Sequence, residues 1–319
     1  MYGRMKFADF VVSWALQALS RGLQKVASRS GPAAGELRCS DQKALSLAAE
    51  RVFSLWQMAQ LSVSKLEFKR ARADLGSIVE LCAGERTPER LAAERLIERA
   101  DPKARRLLEE IAAGLWAPAP DARTQESTRE RLNELFQAES QRWRSYAPLR
   151  LVDESELVEH GMLRAFGKAR SLSARLDQIA AEPSRRASAK RLLRAGRWVQ
   201  HCVNHLELLR PALSESGRRR RWHLNRLAAK LDEQWALEKL ARVLVLMDLK
   251  PKASVRLERL IHDERRRLDK QRQKLSIGAF AGGAGAYRSE VVQAVAQLGL
   301  EAITLLPLEH TVGKDKETG

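Results

Sequence analysis

The residues of this 319-residue chain best placed to do chemistry are cations that recur every three or four positions. Residues at i, i+4, i+7 and i+11 stand above one another on one face of an α-helix. On that spacing Lys190, Arg194, Arg197, His201 and His205 form one row, and Arg219, His223, Arg226 and Lys230 form a second. Arg164, Lys168 and Arg175 form a third, Arg218, Arg220 and Arg221 crowd the head of the second, and Lys65, Lys69 and Arg72 make a shorter row in the first half. A guanidinium fork matches two phosphate oxygens at once and gives up less hydration than an ammonium, so arginine-rich rows favour phosphate. The row from Lys190 to His205 would extend about 22 Å at 1.5 Å per residue, which suits a linear polyanion better than one small metabolite. His201 and His205 are expected to lengthen that row, becoming cationic where phosphate oxygens raise their pKa.

A charged row can also be the solvated side of an amphipathic helix, and the chain supplies its own control. Between Glu89 and Glu110 the charges alternate in sign, through Glu89, Arg90, Glu94, Arg95, Glu98 and Arg99, as a solvent face stabilised by i,i+4 pairs should. From Arg164 to Lys230, 17 basic residues meet only 4 acidic ones. Like charges at i,i+4 cost a few tenths of a kcal/mol per pair, so rows without acids make physical sense when a ligand neutralises them. The whole chain carries 57 Lys and Arg against 40 Asp and Glu, a net charge of +17 that also calls for an anionic partner.

Catalytic patterns are weaker. His201 and His205 have metal-ligand spacing but no third ligand beside them, and His262, Asp263 and Glu264 are consecutive and fan out around a helix. The glycine-rich run from Gly278 to Tyr287 lacks the Gly-Lys-Ser/Thr of a phosphate-binding loop and reads as a turn between the last two helices. We therefore expect a binding protein rather than an enzyme, with no cofactor and no metal.

The elements that must carry these rows are helices. Aromatics are only 5% of the chain, while Ala, Leu, Arg, Glu and Gln recur throughout. Helical periodicity runs through 5–27, 40–81, 88–114, 125–146, 154–180, 188–209, 218–247 and 254–275. Breaks at 117–121 and 147–148 divide the chain into an N-terminal half, 1–147, and a C-terminal half, 148–319, that carries the main rows. The tail 314–319 is expected to be disordered. Cys39, Cys82 and Cys202 are too few and too scattered for a disulfide framework, which fits a reducing, cytoplasmic setting. No stretch approaches the roughly 20 apolar residues of a membrane span. The apolar N-terminal segment reads as an amphipathic helix rather than a signal peptide, with a surface anchor on lipid or on a hydrophobic granule as the rival reading.

The second half resembles the CHAD family, the conserved-histidine α-helical domains. HGMLRAFGKARSLSARL is similar to the helix that opens that family's second half, and RLLRAGRWVQHCVNHLELLRPAL to its signature helix, down to Leu208-Leu209-Arg210-Pro211. LNRLAAKLDEQWALEKLARVL and RLERLIHDERRRLDKQRQKL follow later helices, and LEFKRARADLGSIVELCAGERTPERL has the first-half shape. The signature histidine position falls on Leu193, a signature basic position on Arg197, and Trp235-Ala236 stands where the family carries a His-Asp pair. The resemblance implies an all-α fold of two similar antiparallel helical-bundle halves packed around a central basic groove or channel. It also implies inorganic polyphosphate as the partner, with polyphosphate or polyhydroxyalkanoate granules as a place of work. Nucleic acid on the same surface, and a granule scaffold with weakened anion binding, are the other readings of the charge.

Overall fold

Every regular element among the described residues is helical. The computed structural model describes residues 5–27, 39–83, 87–115, 122–145, 154–181 and 188–300. The breaks expected at 117–121 and 147–148 and the tail 314–319 lie outside them. The helices are α1 (Phe7–Ala27), α2 (Cys39–Met58), α3 (Lys65–Leu81), α4 (Pro88–Ile97), α5 (Pro102–Gly114), α6 (Ala122–Ser145), α7 (Glu154–Glu156), α8 (Arg164–Ala181), α9 (Ala189–Leu208), α10 (Glu215–Leu246), α11 (Pro251–Ala279) and α12 (Gly283–Gln297). A π-helical segment, Leu157–Leu163, joins α7 to α8. No described helix is long and apolar enough to cross a membrane.

Two expected helices are each divided. Ser64 caps α3 by accepting from the backbone N–H of Glu67, which separates it from α2. Asp101 does the same for α5, accepting from Lys103 and Ala104 with Pro102 at the first helical position. The glycine-rich run is mostly helix: the chain turns only around Phe280–Gly282, with Gly282 at φ 69° and Gly283 at φ 66°, a region that favours glycine.

Buried apolar side chains form two clusters. The larger draws on α1, α2, α3, α6, α8, α9, the start of α10 and α12. The smaller is made by α4, α5, the end of α10 and α11. Helix α10 belongs to both, through Leu224, Leu227 and Leu231 in the first and Leu237, Leu240 and Leu244 in the second. Residues from both sides of position 147 therefore contribute to each cluster, and the cores divide along the length of α10.

Cross-helix ions fasten this frame. Arg265 donates to both carboxylate oxygens of Glu238, tying α11 to α10, and Arg272, fully buried, reaches Asp177 on α8. Of the alternating charges in 89–110, Arg90 and Glu94 pair within α4, while Glu89 reaches Lys239 at 3.2 Å and Arg99 reaches Glu264 at 2.8 Å. Gly161, in the π-helical segment, lies against α2 so closely that a Cβ there would stand 2.5 Å from the carbonyl oxygen of Met58.

The apolar stripe of α1 is used up inside the protein. Phe7, Val11, Ala15, Leu19 and Val26 are buried in the larger cluster. The rival reading of α1 as a lipid or granule anchor loses these stripe residues, which are packed against α2 and α6, while Phe10, Trp14, Leu16 and Leu23 of the same helix stay partly exposed.

Candidate functional site

Helices α8, α9 and α10 pack side by side, and α9 also crosses α2. The first half of α9 faces outward: Lys190, Arg194 and Arg197 are exposed, as is Arg191 beside them. None of the four has a carboxylate partner among the described residues. At 1.5 Å per residue this stretch is about 10 Å long.

The second half of α9 turns under α2, and there the expected row ends. His201 and His205 are buried and enter a polar network with Ser54. The Ser54 hydroxyl has one proton, which goes to the carbonyl oxygen of Glu50 at 2.9 Å. It must then accept from Nδ1–H of His201 at 2.9 Å and from Nδ2–H of Asn204 at 2.8 Å. Nε2–H of His205 donates to the Ser54 carbonyl at 2.9 Å. Burial pulls the His201 pKa down to about 3, helped by His205 and Arg197, and that of His205 down to about 4. Both rings are neutral struts. They do not extend the cationic row, a correction whose cause is desolvation. Val199, Cys202, Val203 and Leu206, all buried and interleaved with them, were the sequence signal for a core stretch.

The second row is taken apart in the same way. Arg220 is buried and grips Glu290 of α12 at 2.7 and 3.1 Å while donating to the Ala279 carbonyl, so it is a strut. Arg221 donates to Glu207 at 2.6 Å, Lys230 to Glu233 at 2.8 Å and Arg218 to the Leu213 carbonyl at 3.1 Å. Arg219 pairs with Glu215 where both are exposed, a contact worth little that leaves the guanidinium within reach of an anion. His223 packs against Gly278 of α11, and partial burial, then Arg219 and Arg220, lower its pKa. Arg226 lies over the exposed ring of Trp222, 5.5 Å from its centroid. In the third row Arg175 is exposed, while Arg164 and Lys168 are half-buried along α8.

In the first half Lys65, Lys69 and Arg72 are exposed on α3 with no carboxylate partner among the described residues. A ladder of rings links that row to α9. Phe68 meets Phe53 at 6.1 Å, Phe53 meets His201 at 5.5 Å, and His201 meets Trp198 at 5.5 Å between centroids. Phe68, Phe53 and Trp198 are half-buried, so the ladder lies just beneath the surface between the two cationic faces. Two carboxylates border the same region. Asp232 of α10 comes near Gly196, where a Cβ would be 3.5 Å from its Oδ1. Its side chain keeps an edge exposed to solvent, yet the crowding of protein around it and Glu233 raise it to about 6 against the pull of Arg95. Glu50 of α2 is raised to about 7 by burial and then by Asp232. The ladder and the acid pair are invisible in the sequence, because their members come from α2, α3, α9 and α10.

No family model, curated protein or solved structure matches the chain. Among the described residues no group of three or more His, Cys, Asp or Glu is gathered to hold a metal ion.

Proposed function

We propose that this protein binds a linear polyanion, inorganic polyphosphate foremost, across the exposed faces of α9 and α3, and that it does so without catalysing a reaction. The observation that carries this reading is the set Lys190, Arg191, Arg194 and Arg197, four exposed cations on two turns of one helix with no acid to offset them. Like charges so placed cost free energy in the unliganded protein and release it when phosphates arrive. Lys65, Lys69 and Arg72 lie on the far side of the ring ladder and would take a second stretch of the same chain. The resemblance to the CHAD family suggests the same ligand, and an arrangement of two similar halves around a basic groove belongs to this reading too.

Titration of the protein with long-chain polyphosphate at low salt tests it. Arg194→Glu/Arg197→Glu should weaken binding at least tenfold with no fall in melting temperature. Arg105→Glu/Arg106→Glu, on the exposed side of α5, makes the same change in net charge elsewhere. Equal losses in the two variants would mean that net charge alone attracts the ligand, and the reading would fall.

Single-stranded nucleic acid is favoured by one specific observation, the exposed Trp222 ring with Arg226 over it, since stacking platforms flanked by cations suit unpaired bases. Competition between polyphosphate and single-stranded DNA of equal charge separates the two: preference for DNA, lost in Trp222→Ala, would replace the first reading by the second.

A further inference from the structure

The end of the molecule where α10 turns into α11 carries side chains that the anion-binding face does not explain. Val245 and Leu246, on the last turn of α10, are 83% and 87% exposed, and Val255 across the turn is 60% exposed. Met247, between them in sequence, is 39% exposed, so four apolar side chains within eleven residues of this turn are open to solvent. The connection is short and ordered, with the Leu249 N–H bonded to the Met247 carbonyl at 2.9 Å and that of Ala253 to the Lys250 carbonyl at 2.8 Å. Behind it, Gln234–Asp269 and Glu238–Arg265 bonds hold α10 and α11 together as a stalk.

The same turn is rich in exposed cations. Arg242, Lys250, Lys252, Arg256 and Arg259 are all exposed, against Asp248 and Glu258 in the same stretch. Arg256 has a distant partner in Asp101 at 3.8 Å, and Glu258 accepts from the Ser254 hydroxyl, while Lys250, Lys252 and Arg259 have no carboxylate partner among the described residues. A concavity of about 790 Å³ opens beside the tip, lined by Lys252, Val255, Arg256 and Arg259 with Arg99 and the carboxylates Asp101 and Asp263.

We infer that this hairpin tip docks on an anionic lipid surface, with Val245, Leu246 and Val255 entering the acyl boundary and the surrounding cations meeting headgroup phosphates. Exposed aliphatic side chains set among cations without carboxylate partners match the two chemistries of an anionic lipid surface, acyl chains and headgroup phosphates. A bare linear polyanion leaves the aliphatic side chains in water. A second copy of this chain would bring one set of these cations against another. The inference does not rest on the polyanion reading, because none of its residues is on α3 or α9.

Cosedimentation of the full chain with vesicles tests it, using equimolar phosphatidylglycerol and phosphatidylcholine against phosphatidylcholine alone. The anionic vesicles should bind and the neutral ones should not. Val245→Ser/Leu246→Ser should lower the partition coefficient at least tenfold, and Lys250→Glu/Lys252→Glu should do the same. In both variants the melting temperature and polyphosphate affinity should stay as in the unmodified chain. Unchanged vesicle binding by Val245→Ser/Leu246→Ser, or equal binding to neutral vesicles, overturns the inference. So does a dimer in solution that this variant converts to monomer, since the tip would then be covered by a second copy. None of these outcomes alters what Arg194→Glu/Arg197→Glu does to polyphosphate.

Discussion

The hydroxyl oxygen of Ser54 lies 2.9 Å from Nδ1 of His201, a contact 147 residues apart in sequence that fixes α2 to α9 beneath the cationic face. Ser54→Ala leaves both the His201 and Asn204 donors buried without their acceptor. Each such loss costs about 1–3 kcal/mol, so the variant should unfold about 2–6 kcal/mol more easily in urea with an unchanged m-value. His205, bonded to the Ser54 backbone, keeps its partner. A loss under about 0.5 kcal/mol would show that the network adds nothing.

The titration of the same region sets a pH profile. His201 and His205 are depressed to about 3 and about 4, so their contribution to stability is full above pH 6.5 and is lost as pH falls through the acid range. Glu50, raised to about 7 from 4.5, runs the other way: it favours the fold once protonated, and that gain is lost as pH rises through 7. Between those limits the two trends oppose each other. Asp232, raised to about 6 from 3.8, runs with Glu50, so the two carboxylates offset the two histidines from about pH 6.5 to pH 5. Stability should fall below about pH 4, where the carboxylates are protonated in both states. Glu50→Gln should be more stable than the unmodified chain by about 2 kcal/mol at pH 8 and by nothing at pH 5, measured by denaturant titration at each pH.

Helix periodicity made α8 to α11 legible in sequence to within a few residues, and the Asp101-Pro102 pair carried the signal for the division of α4 from α5. The break at 59–64 holds neither Gly nor Pro and shows only a serine cap. The basic rows were legible as spacing but not as exposure. His201 has the same register as Lys190, Arg194 and Arg197, yet α9 passes beneath α2 within two turns, and what a row meets depends on the neighbour at each turn. Arg220 reads as one cation among four until Glu290, 70 residues away, is brought beside it. No local pattern carries a pairing at that separation.

Arg220 and Glu290 form a bidentate pair buried between α10 and α12, with the guanidinium 5.7 Å from the Phe166 ring. Removing one member strands the other charge away from water, at a cost of about 3–5 kcal/mol. Arg220→Ala should therefore lower the melting temperature sharply, while at temperatures where it stays folded its polyphosphate affinity should match that of the unmodified chain. The double variant Arg220→Met/Glu290→Leu should recover most of the stability, because an apolar pair of similar volume leaves no buried charge. Persistent loss in the double variant would locate the cost in packing against Phe166 and Tyr287 instead.

Polyanion binding should itself depend on pH through Glu50 and Asp232. Both border the α9 face, one from α2 and one from α10, and desolvation places them at about 7 and about 6. Arg95 of α4 and Glu233 of α10 act on Asp232 in opposite directions, and Asp232 in turn raises Glu50. Above pH 7 both carboxylates are ionised and repel an incoming phosphate chain; at pH 6 Glu50 is largely protonated and Asp232 about half so. Affinity should accordingly rise as pH falls from 8 to 6, since the liganded state binds protons that the free protein releases. Glu50→Gln/Asp232→Asn should bind at pH 8 as tightly as the unmodified chain does at pH 6, and should lose the pH dependence. Its salt dependence should stay near 0.7 log unit per neutralised phosphate for each tenfold change in salt, because the cations of the row are untouched. A variant that keeps the full pH dependence would place the titrating groups elsewhere, and with them the anion.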